Sequence, residues 1–367
     1  MTPGKTVVVK VGTSTLTGGG RTLSKRRMLA LAGQIVALLE SGVRVALVSS
    51  GAIAAGREAL GFSGAEKTVA AKQMLSAVGQ VRLMQLWAEL FALYERPVAQ
   101  VLLTRGELSR RAGYLNARDT LTALLARGIV PVINENDALA TDEIRVGDND
   151  SLSALVANLV DAKTLVLLTD IEGLFDADPR THPEAKLIAE VKTLDESVFA
   201  LAGGTGTSLG TGGMRTKLEA ARLAGQSGTT TVIAPGDREG VLLQIARGES
   251  VGTKIRPSMA RRESRARWLL AEVPQGTLTV DSGAAARLKT GRASLLPVGL
   301  TVVDGEFLRG DVVRVVGPNN EPLAMGVAAY DADALRRLVG ASSARITEIL
   351  GDSLGDEAIH RDDLALL

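Results

Sequence analysis

The sequence predicts an α/β protein with helices on both faces of a mainly parallel sheet, followed by a small β-rich domain. Two observations support this prediction. The first two-thirds of the chain alternates short β-branched runs with helical stretches, and the alternation stops near Val251. A length of 367 residues is enough for two to three domains of about 150 residues each.

Six short runs that are apolar at consecutive positions predict strands buried on both faces, as in a parallel sheet. They are residues 6–11, 43–48, 98–103, 129–133, 164–168 and 229–233. Apolar side chains at helical spacing, such as Met28, Leu31 and Ile35, lie between these runs. They predict helices at residues 24–40, 65–95, 109–126, 151–159 and 214–224. A repeated strand-then-helix pattern is typical of α/β proteins with a three-layer αβα arrangement.

The pattern changes in the last third of the chain. Residues 254–267 hold six basic side chains and only one acidic one, Glu263, and we interpret them as a basic connector. Beyond Pro274, alternating runs separated by glycine and proline turns predict a β-rich domain. These runs are residues 278–280, 293–298, 311–316 and 324–330. The predicted limits are 1–255 for the α/β domain, 256–275 for the connector, 276–354 for the β-rich domain and 355–367 for a tail.

The composition excludes several classes of chemistry. Cysteine is absent, which removes disulfides, thiol nucleophiles, iron–sulfur clusters and cysteine-based zinc sites. His182 and His360 are the only histidines, too few for a multi-histidine metal site. With 42 basic and 41 acidic residues, the chain has no global field that would draw it to nucleic acid or an anionic membrane. No apolar run approaches the ~20 residues that span a bilayer, and the N-terminus lacks a signal peptide's apolar region, so we expect a cytoplasmic protein.

Glycines follow the first two predicted strands. The sequence reads Lys10-Val11-Gly12 after the first strand and Ser49-Ser50-Gly51 after the second. One such glycine could serve only a tight turn, but two at successive strand ends favour a site where backbone N–H groups bind an anion. Lys10 lies inside an apolar strand, where a charge is costly unless it is neutralised. Lys10 therefore lies either at an exposed strand end or beside an anion.

Glycine and hydroxyl side chains also fill residues 203–217, which lead into the helix predicted to begin at Met214. Their backbone N–H groups could cradle phosphates, with Lys217 one turn inside the helix. The segment is not a Walker A loop, and it misses the dinucleotide fingerprint because position 209 is Leu. The alternative is a surface loop.

Two polar clusters lie about ten residues apart. Asn134-Glu135-Asn136-Asp137 ends a predicted strand, and Gly147-Asp148-Asn149-Asp150 opens a predicted helix. Asp150 by itself would be read as a helix cap. Capping a helix requires only one such residue, so two polar clusters indicate a binding role. They suit an ammonium group, a metal ion or a lysine that must be positioned. Thr169-Asp170, at the end of another strand, could likewise be a cap or part of a binding site.

Taken together, these motifs resemble the amino acid kinase family, and in particular its branch that phosphorylates glutamate. The resemblance covers essentially the whole chain, including a C-terminal segment that resembles a PUA domain. It rests on the following motifs in this order: Val9-Lys10-Val11-Gly12-Thr13-Ser14, Ser49-Ser50-Gly51, Ile133-Asn134-Glu135-Asn136-Asp137, Val146-Gly147-Asp148-Asn149-Asp150, Leu168-Thr169-Asp170 followed by Gly173-Leu174, and Gly210-Thr211-Gly212-Gly213-Met214 with Thr216-Lys217.

The resemblance implies that the enzyme uses ATP and Mg²⁺ to phosphorylate the γ-carboxylate of L-glutamate. The product is L-glutamyl 5-phosphate, and the reaction is the first step of proline biosynthesis. The residue chemistry suits this reaction. A carboxylate nucleophile with a pKa near 4.3 is already ionised at neutral pH, so no general base is required. The reaction instead needs two anions to be held together and the charge on the moving phosphoryl group to be stabilised.

The resemblance also implies a role for each motif. Lys10 and Lys217 flank the transferring phosphate, Gly12 and Gly51 offer it N–H groups, and Asp150 holds the two lysines. The residues expected to bind glutamate are Ser50, Asn134, Asp137 and Asn149. Those expected to bind ATP are Lys10, Thr169, Asp170, Thr211, Gly212, Gly213, Met214, Arg215, Thr216 and Lys217. No protein side chains are assigned to the metal, because Mg²⁺ is expected to be held mainly by the phosphates of ATP.

The expected partners follow from the same resemblance. They are a γ-glutamyl phosphate reductase that consumes the labile product, proline as a feedback inhibitor, and further copies of the chain in a dimer or tetramer. PUA domains often bind RNA, but residues 277–353 hold eight basic and nine acidic side chains. Phe307 and Tyr330 are the only aromatic residues there. This is a poor footprint for nucleic acid, and we expect a structural or regulatory role instead.

Three alternatives remain open from the sequence. The chain could be another kinase of the same fold, acting on acetylglutamate, aspartate, carbamate or a nucleoside monophosphate. It could be an RNA-binding or RNA-modifying protein, on the strength of the PUA-like segment. It could also be a fragment of a bifunctional synthase, although the reductase chemistry of such a synthase uses a cysteine and this chain has none.

Overall fold

The computed structural model describes residues 4–62, 68–139, 149–202, 213–258, 269–270, 272–291 and 293–367. The chain divides into two compact units, Met1–Met259 and Ala260–Leu367. Each unit has its own sheet. Within the described ranges, no helix is long and apolar enough to cross a bilayer.

The described part of the first unit is built on an eight-stranded sheet. The strands are β1 (Thr6–Val11), β2 (Arg44–Ser49), β3 (Val98–Leu103), β4 (Val130–Glu135), β5 (Thr164–Thr169), β6 (Glu190–Val191), β7 (Thr230–Pro235) and β8 (Thr253–Ile255). Their spatial order is β3-β4-β2-β1-β5-β7-β8-β6. The first six strands in that order are parallel, and β8 runs antiparallel to β7. The prediction of a mainly parallel sheet is confirmed.

Helices cover both faces of this sheet. They are α1 (Thr13–Thr17), α2 (Lys25–Glu40), α3 (Ala52–Leu60), α4 (Val69–Ala92), α5 (Arg105–Ser109), α6 (Arg111–Ala126), α7 (Asn149–Leu159), α8 (Glu196–Leu201), α9 (Met214–Gly225) and α10 (Val241–Arg247). Val7 and Val9 of β1 join a core with α2, α3, α4 and α10, whereas Val8 joins a second core with α6, α7 and α9. Because side chains alternate along a strand, Lys10 shares the face of Val8.

Two helix predictions differ from the structure in their limits. The helix predicted at residues 65–95 is described from Val69 to Ala92, and residues 63–67 lie outside the described part of the chain. The helix predicted at residues 109–126 is α6, which begins at Arg111, and the short helix α5 before it was not predicted; Arg110 between the two is extended. A capping box between Thr104 and Glu107 defines the short first helix. At Gly113 a β-carbon would lie 2.3 Å from the carbonyl oxygen of Glu107, so the two helices pack very closely there.

In the second unit, the described residues form a five-stranded sheet. Its strands are β9 (Gly276–Val280), β10 (Leu300–Gly305), β11 (Val312–Val316), β12 (Pro322–Val327) and β13 (Leu364–Leu366), in the order β10-β9-β11-β12-β13. The prediction of a β-rich C-terminal domain is confirmed. The strand predicted at residues 293–298 is wrong. Leu295 makes a single bridge to Ile359, and Pro297–Gly299 is a 3₁₀ turn that begins at a proline without an N–H group.

The described residues of the second unit also include short helices that the sequence analysis did not predict. They are α11 (Ser282–Lys289), α12 (Ala332–Leu338) and α13 (Ile346–Leu350). At five to eight residues they are too short to show a clear helical period. The segment 355–367, expected to be a tail, ends in β13, which pairs antiparallel with β12.

Candidate active site

The candidate site is centred on a buried ion pair between β1 and α7. The Nζ of Lys10 lies 2.6 Å from Oδ1 of Asp150. The two residues are only 6% and 1% exposed. A lysine inside a buried strand requires a compensating charge, and the first turn of α7 supplies it. Of the two sequence interpretations of Lys10, the structure supports an anion beside it.

A second lysine reaches the same carboxylate from α9. Lys217 Nζ lies 3.3 Å from Asp150 Oδ2, and the hydroxyl of Thr216 donates to the same oxygen at 2.7 Å. Lys217 is almost fully buried. One carboxylate thus bridges two ammonium groups that come from different elements. We call Lys10, Asp150 and Lys217 the lysine–aspartate cluster.

The electrostatics of the cluster favour an ionised Asp150. Burial by itself raises the pKa of Asp150, but the charges of Lys10 and Lys217 outweigh it and hold that pKa well below the ordinary value of 3.8. Burial lowers the pKa of Lys217 from its ordinary 10.5, although Asp150 opposes this shift. With both lysines protonated, the cluster carries one uncompensated positive charge and is suited to an anionic ligand.

Two glycines lie at the strand ends beside this cluster. A β-carbon at Gly12 would lie 3.6 Å from Lys10 Nζ, so the backbone of Gly12 passes close to the ammonium group. Gly51 precedes α3 with φ +107, a conformation that residues with a side chain rarely adopt. A β-carbon at Gly51 would lie 3.2 Å from side-chain atoms of Leu16 and Leu23. Gly12 therefore lies beside the ammonium group of Lys10, whereas Gly51 is required by its positive φ and by close packing against the leucine side chains.

A chain of amide hydrogen bonds begins at the residue next to Asp150. Asn149 Nδ2 donates to Ser50 Oγ and to Asn134 Oδ1, both at 2.9 Å. Asn134 Nδ2 in turn donates to Gln80 Oε1 of α4 at 2.9 Å. These bonds fix which way each amide points. Asn149 Oδ1 and Gln80 Nε2 are left buried with no hydrogen-bond partner among the described residues.

Asp137 lies in the same region and is held by the same helix. The hydroxyl of Ser76 in α4 donates to Asp137 Oδ2, while Asp137 Oδ1 is buried with no partner among the described residues. Burial raises the pKa of Asp137 above 3.8, and the hydrogen bond from Ser76 partly opposes that shift. We call Ser50, Ser76, Gln80, Asn134, Asp137 and Asn149 the acceptor cluster.

A pocket with partly apolar walls opens on the other side of Lys217. Its lining residues are Thr169, Asp170, Ile171, Gly173, Leu174, Phe175, Ala177, Asp178, Pro179, Arg180, Leu201, Ala202, Gly213, Met214 and Lys217. Polar groups of Thr169, Asp170 and Lys217 meet apolar side chains such as Leu174 and Phe175. This arrangement suits a ligand with a flat apolar part and a charged part. Lys217 belongs to both the pocket and the lysine–aspartate cluster, so the two are contiguous.

The structure brings most of the predicted site residues together. Thr169, Asp170, Gly213, Met214 and Lys217 line the pocket, and Thr216 contacts Asp150. Arg215 is an exception, since its exposed side chain pairs with Glu219 at 3.3 Å. Thr211 and Gly212 lie outside the described residues.

Sequence reasoning missed Ser76 and Gln80, and it missed the pocket walls around Phe175 and Leu201. Ser76 and Gln80 belong to a helix rich in alanine and leucine, where isolated polar residues give no functional signal. The spacing of four residues, which places both on one face of α4, is the one signal available. Among the described residues, no group of three His, Asp or Glu side chains is placed to hold a metal ion.

Comparison with protein families gives two matches along the chain. Residues 5–235 match the model of the amino acid kinase family, and residues 276–350 match that of the PUA domain. The first match contains the sheet strands and helices that carry the lysine–aspartate cluster and the acceptor cluster. The second match contains strands β9 to β12.

Curated relatives match over nearly the whole length. The chain is 52% identical over 359 residues to glutamate 5-kinase of Herpetosiphon aurantiacus, covering 98% of this chain and 97% of the relative. It is 50% identical to glutamate 5-kinase of Pasteurella multocida, covering 99% of each chain. It is also 50% identical to that of Deinococcus radiodurans, covering 98% of this chain and 99% of the relative.

A solved structure supports the fold. UMP kinase from Bacillus anthracis superposes with a TM-score of 0.50 at 18% sequence identity, covering 70% of this chain and 98% of the other. At that identity the likeness concerns the fold alone.

Proposed function

The chain belongs to the amino acid kinase family, and on that premise we propose that it transfers the γ-phosphate of ATP to the γ-carboxylate of L-glutamate. The product is L-glutamyl 5-phosphate, and the reaction is the first step of proline synthesis. Full-length relatives at about half identity bear the name glutamate 5-kinase. The observation that carries the proposal is the lysine–aspartate cluster, which joins the pocket on one side to the acceptor cluster on the other.

We propose that the two lysines stabilise the transferring phosphoryl group. Phosphoryl transfer requires little covalent chemistry from the protein, because the task is to position two anions and stabilise spreading negative charge. Lys10 and Lys217 are buried and face a shared carboxylate, so their ammonium groups are held in place before substrates bind. Asp150 acts as a positioning residue. We propose that Gly12 and Gly51 present backbone N–H groups to the same phosphate.

The acceptor cluster suits an amino acid with a free ammonium group. Asp137 Oδ1 and Asn149 Oδ1 are buried acceptors that lack a partner among the described residues. An ammonium group would satisfy both, whereas leaving them unpaired is costly. The hydroxyl, amide and carboxyl side chains of this cluster suit an ammonium group better than the phosphate of a nucleoside monophosphate. We therefore assign Ser50, Asn134, Asp137 and Asn149 to L-glutamate.

The pocket suits the nucleotide. We propose that its apolar walls receive the adenine and that Thr169, Asp170 and residues 211–217 contact the remainder of ATP. Mg²⁺ would then accompany the phosphates of ATP and offset their charge. Arg215 faces Glu219 and is the weakest member of the predicted nucleotide set.

The expected partners are also part of the proposal. The acyl phosphate product is labile, so a γ-glutamyl phosphate reductase should consume it. Proline should act as a feedback inhibitor, and the chain should assemble as a dimer or tetramer. We propose a structural or regulatory role for the PUA-like unit, given its near-zero net charge. Titrating the full chain with transfer RNA at two salt concentrations tests this role, and a salt-dependent submicromolar complex would overturn it.

ADP release by the purified chain with Mg²⁺-ATP tests the proposed function. The acceptors to compare are L-glutamate, N-acetyl-L-glutamate, L-aspartate and UMP. Turnover that depends on L-glutamate supports the assignment of the acceptor cluster. Turnover with only one of the other acceptors would contradict the assignment of the acceptor cluster to L-glutamate. It would leave the fold and the role of the two lysines unaffected.

A further inference from the structure

One wall of the pocket is carried by an arm of the first unit, residues 171–188. Phe175 and Leu187 form an antiparallel bridge across the arm, and Asp176 N donates to Lys186 O at 3.1 Å. Residues from Ile171 to Arg180 of this arm line the pocket. The arm projects from β5 as a two-stranded loop, so its position depends on contacts at its base.

The hydroxyl of Thr253, in β8, joins both sides of that base. It accepts a hydrogen bond from Leu174 N at 2.8 Å and donates to Ile188 O at 2.7 Å. Leu174 lies on the pocket-lining side of the arm and Ile188 ends the returning side, and Ile188 N donates to Leu174 O at 2.8 Å. Thr253 is fully buried and does not line the pocket itself.

The packing around this hydroxyl is close. A β-carbon at Gly173 would lie 2.6 Å from Thr253 Oγ1 and 3.0 Å from Thr253 N, so the arm comes as near to β8 as a glycine allows. Thr253 is held in register by pairing with Ile233 of β7. A hydroxyl can donate one hydrogen bond and accept others, and here it satisfies one buried N–H and one buried C=O at once.

We propose that Thr253 is a positioning residue for the nucleotide pocket, since its hydroxyl fixes both sides of the arm that forms one wall. This inference rests on the proposed function in taking the ligand of the pocket to be ATP. Without the hydroxyl, Leu174 N–H and Ile188 C=O lose a buried partner, which favours arm positions that let in water. The apparent nucleotide affinity then falls in proportion to the fraction of molecules in which the arm is in its binding position.

Substitution of Thr253 by valine tests the inference, because valine keeps the shape and removes the hydroxyl. We expect Thr253→Val to raise the ADP Kd measured by calorimetry, and the KM for ATP, about tenfold. The KM for L-glutamate should stay within about twofold, since the acceptor cluster shares no residue with the arm. Thr253→Ser keeps the hydroxyl and should restore near-normal ADP binding.

A merely structural role predicts a different outcome. If Thr253→Val changes the KM values of both substrates and kcat together, or leaves the ADP Kd unchanged, the inference is wrong. If Thr253→Val does not fold, Thr253→Cys, which replaces the hydroxyl by a more weakly hydrogen-bonding thiol, should give an intermediate ADP Kd with normal KM for L-glutamate. A normal ADP Kd for Thr253→Cys would overturn the inference. ADP binding is measured without an acceptor, so a wild-type chain that binds ADP but ignores glutamate would count against the proposed function alone.

Discussion

Lys10 Nζ lies 2.6 Å from Asp150 Oδ1 in the interior of the first unit, where both side chains are almost completely buried. This pairing links the central strand to the first turn of α7, which also supplies Asn149 to the acceptor cluster. The same carboxylate holds Lys217 of α9. The positions of the two ammonium groups, which we propose to face a bound phosphate, therefore depend on one acidic residue.

Removal of either lysine should impair the chemical step. We expect Lys10→Ala and Lys217→Ala to lower kcat by about 10² or more, as for loss of a donor that stabilises the transition state. Lys25→Ala, at the exposed start of α2, is the matched control and should leave kcat unchanged. Steady-state ADP release measures all three. A near-normal kcat for Lys10→Ala or Lys217→Ala would remove that lysine from the mechanism.

The lowered pKa of Lys217 predicts the alkaline limb of the pH profile. In the proposed mechanism, the ammonium form of Lys217 stabilises the phosphoryl group. Activity should therefore be lost as pH rises through the pKa of Lys217, which is lowered from 10.5. The kcat/KM profile reports the free enzyme and should show this limb. Lys217→Arg cannot lose its proton in this range, so its residual activity should persist to higher pH. An identical alkaline limb in the arginine variant would assign the titration to another group.

Loss of the Asp150 charge should destabilise the fold as well as the site. Asp150→Asn leaves two buried ammonium groups without a counter-charge, and we expect unfolding free energy to fall by about 3 kcal/mol. Asp333→Asn, an exposed acid paired with Arg336, is the control and should change little. Urea denaturation measures both. A stability loss no larger than that of the control would contradict the ion-pair account.

The pH dependence of stability has a defined sign for Asp150. Its pKa is lower in the folded chain than in the unfolded chain, so its stabilising contribution is complete above about pH 4 and is lost as pH falls further. Acid unfolding of the wild type should therefore include a component that Asp150→Asn lacks. If the stability of the two proteins fell equally with pH, Asp150 would not be the source of this component.

Ser76 should tune glutamate binding through Asp137. The carboxylate form of Asp137 is needed to bind an ammonium group, and burial raises its pKa while the Ser76 hydrogen bond opposes that shift. Ser76→Ala should raise this pKa further. We then expect the acid limb of kcat/KM for L-glutamate to move to higher pH, with the KM for ATP unchanged.

The control for this experiment is Asp137→Asn, which should raise the KM for L-glutamate at every pH. Ser76→Ala would count against the account if its acid limb coincided with that of the wild type. A parallel rise in the KM for ATP would point to general disruption of α4 instead.

The residue pattern marks Lys10 as unusual, because a lysine inside a buried strand requires either an exposed strand end or an anion beside it. The pattern alone does not identify the anion as Asp150, which is expected from the family resemblance and which by itself reads as a helix cap. The supporting residues could not be predicted in this way. Nothing in the local sequence distinguishes Ser76, Gln80 and Thr253 from other polar residues of helices and strands. Their proposed roles depend on contacts between segments distant in sequence.

The contact between Arg215 and ATP stays a prediction, and the geometry of α9 separates Arg215 from its neighbours in the motif. Met214 and Lys217 are three residues apart and share a face of α9, so both reach the pocket. Arg215 is turned about 100° from Met214 on the helix and meets Glu219 at the next turn instead. In the second unit, Asp281 and Asp331 cap α11 and α12. A single capping residue is weak evidence for a helix, and the surrounding sequence has the pattern of a β-rich domain.

The most direct test of the central claim is to trap the product. The purified chain is incubated with Mg²⁺-ATP, L-glutamate and hydroxylamine, which converts an acyl phosphate to a hydroxamate. We predict γ-glutamyl hydroxamate in equal amount to the ADP released, with neither formed when L-glutamate is omitted. Glutamate-dependent ADP release without hydroxamate, or no ADP release from folded protein that binds ATP, would contradict phosphorylation of the γ-carboxylate.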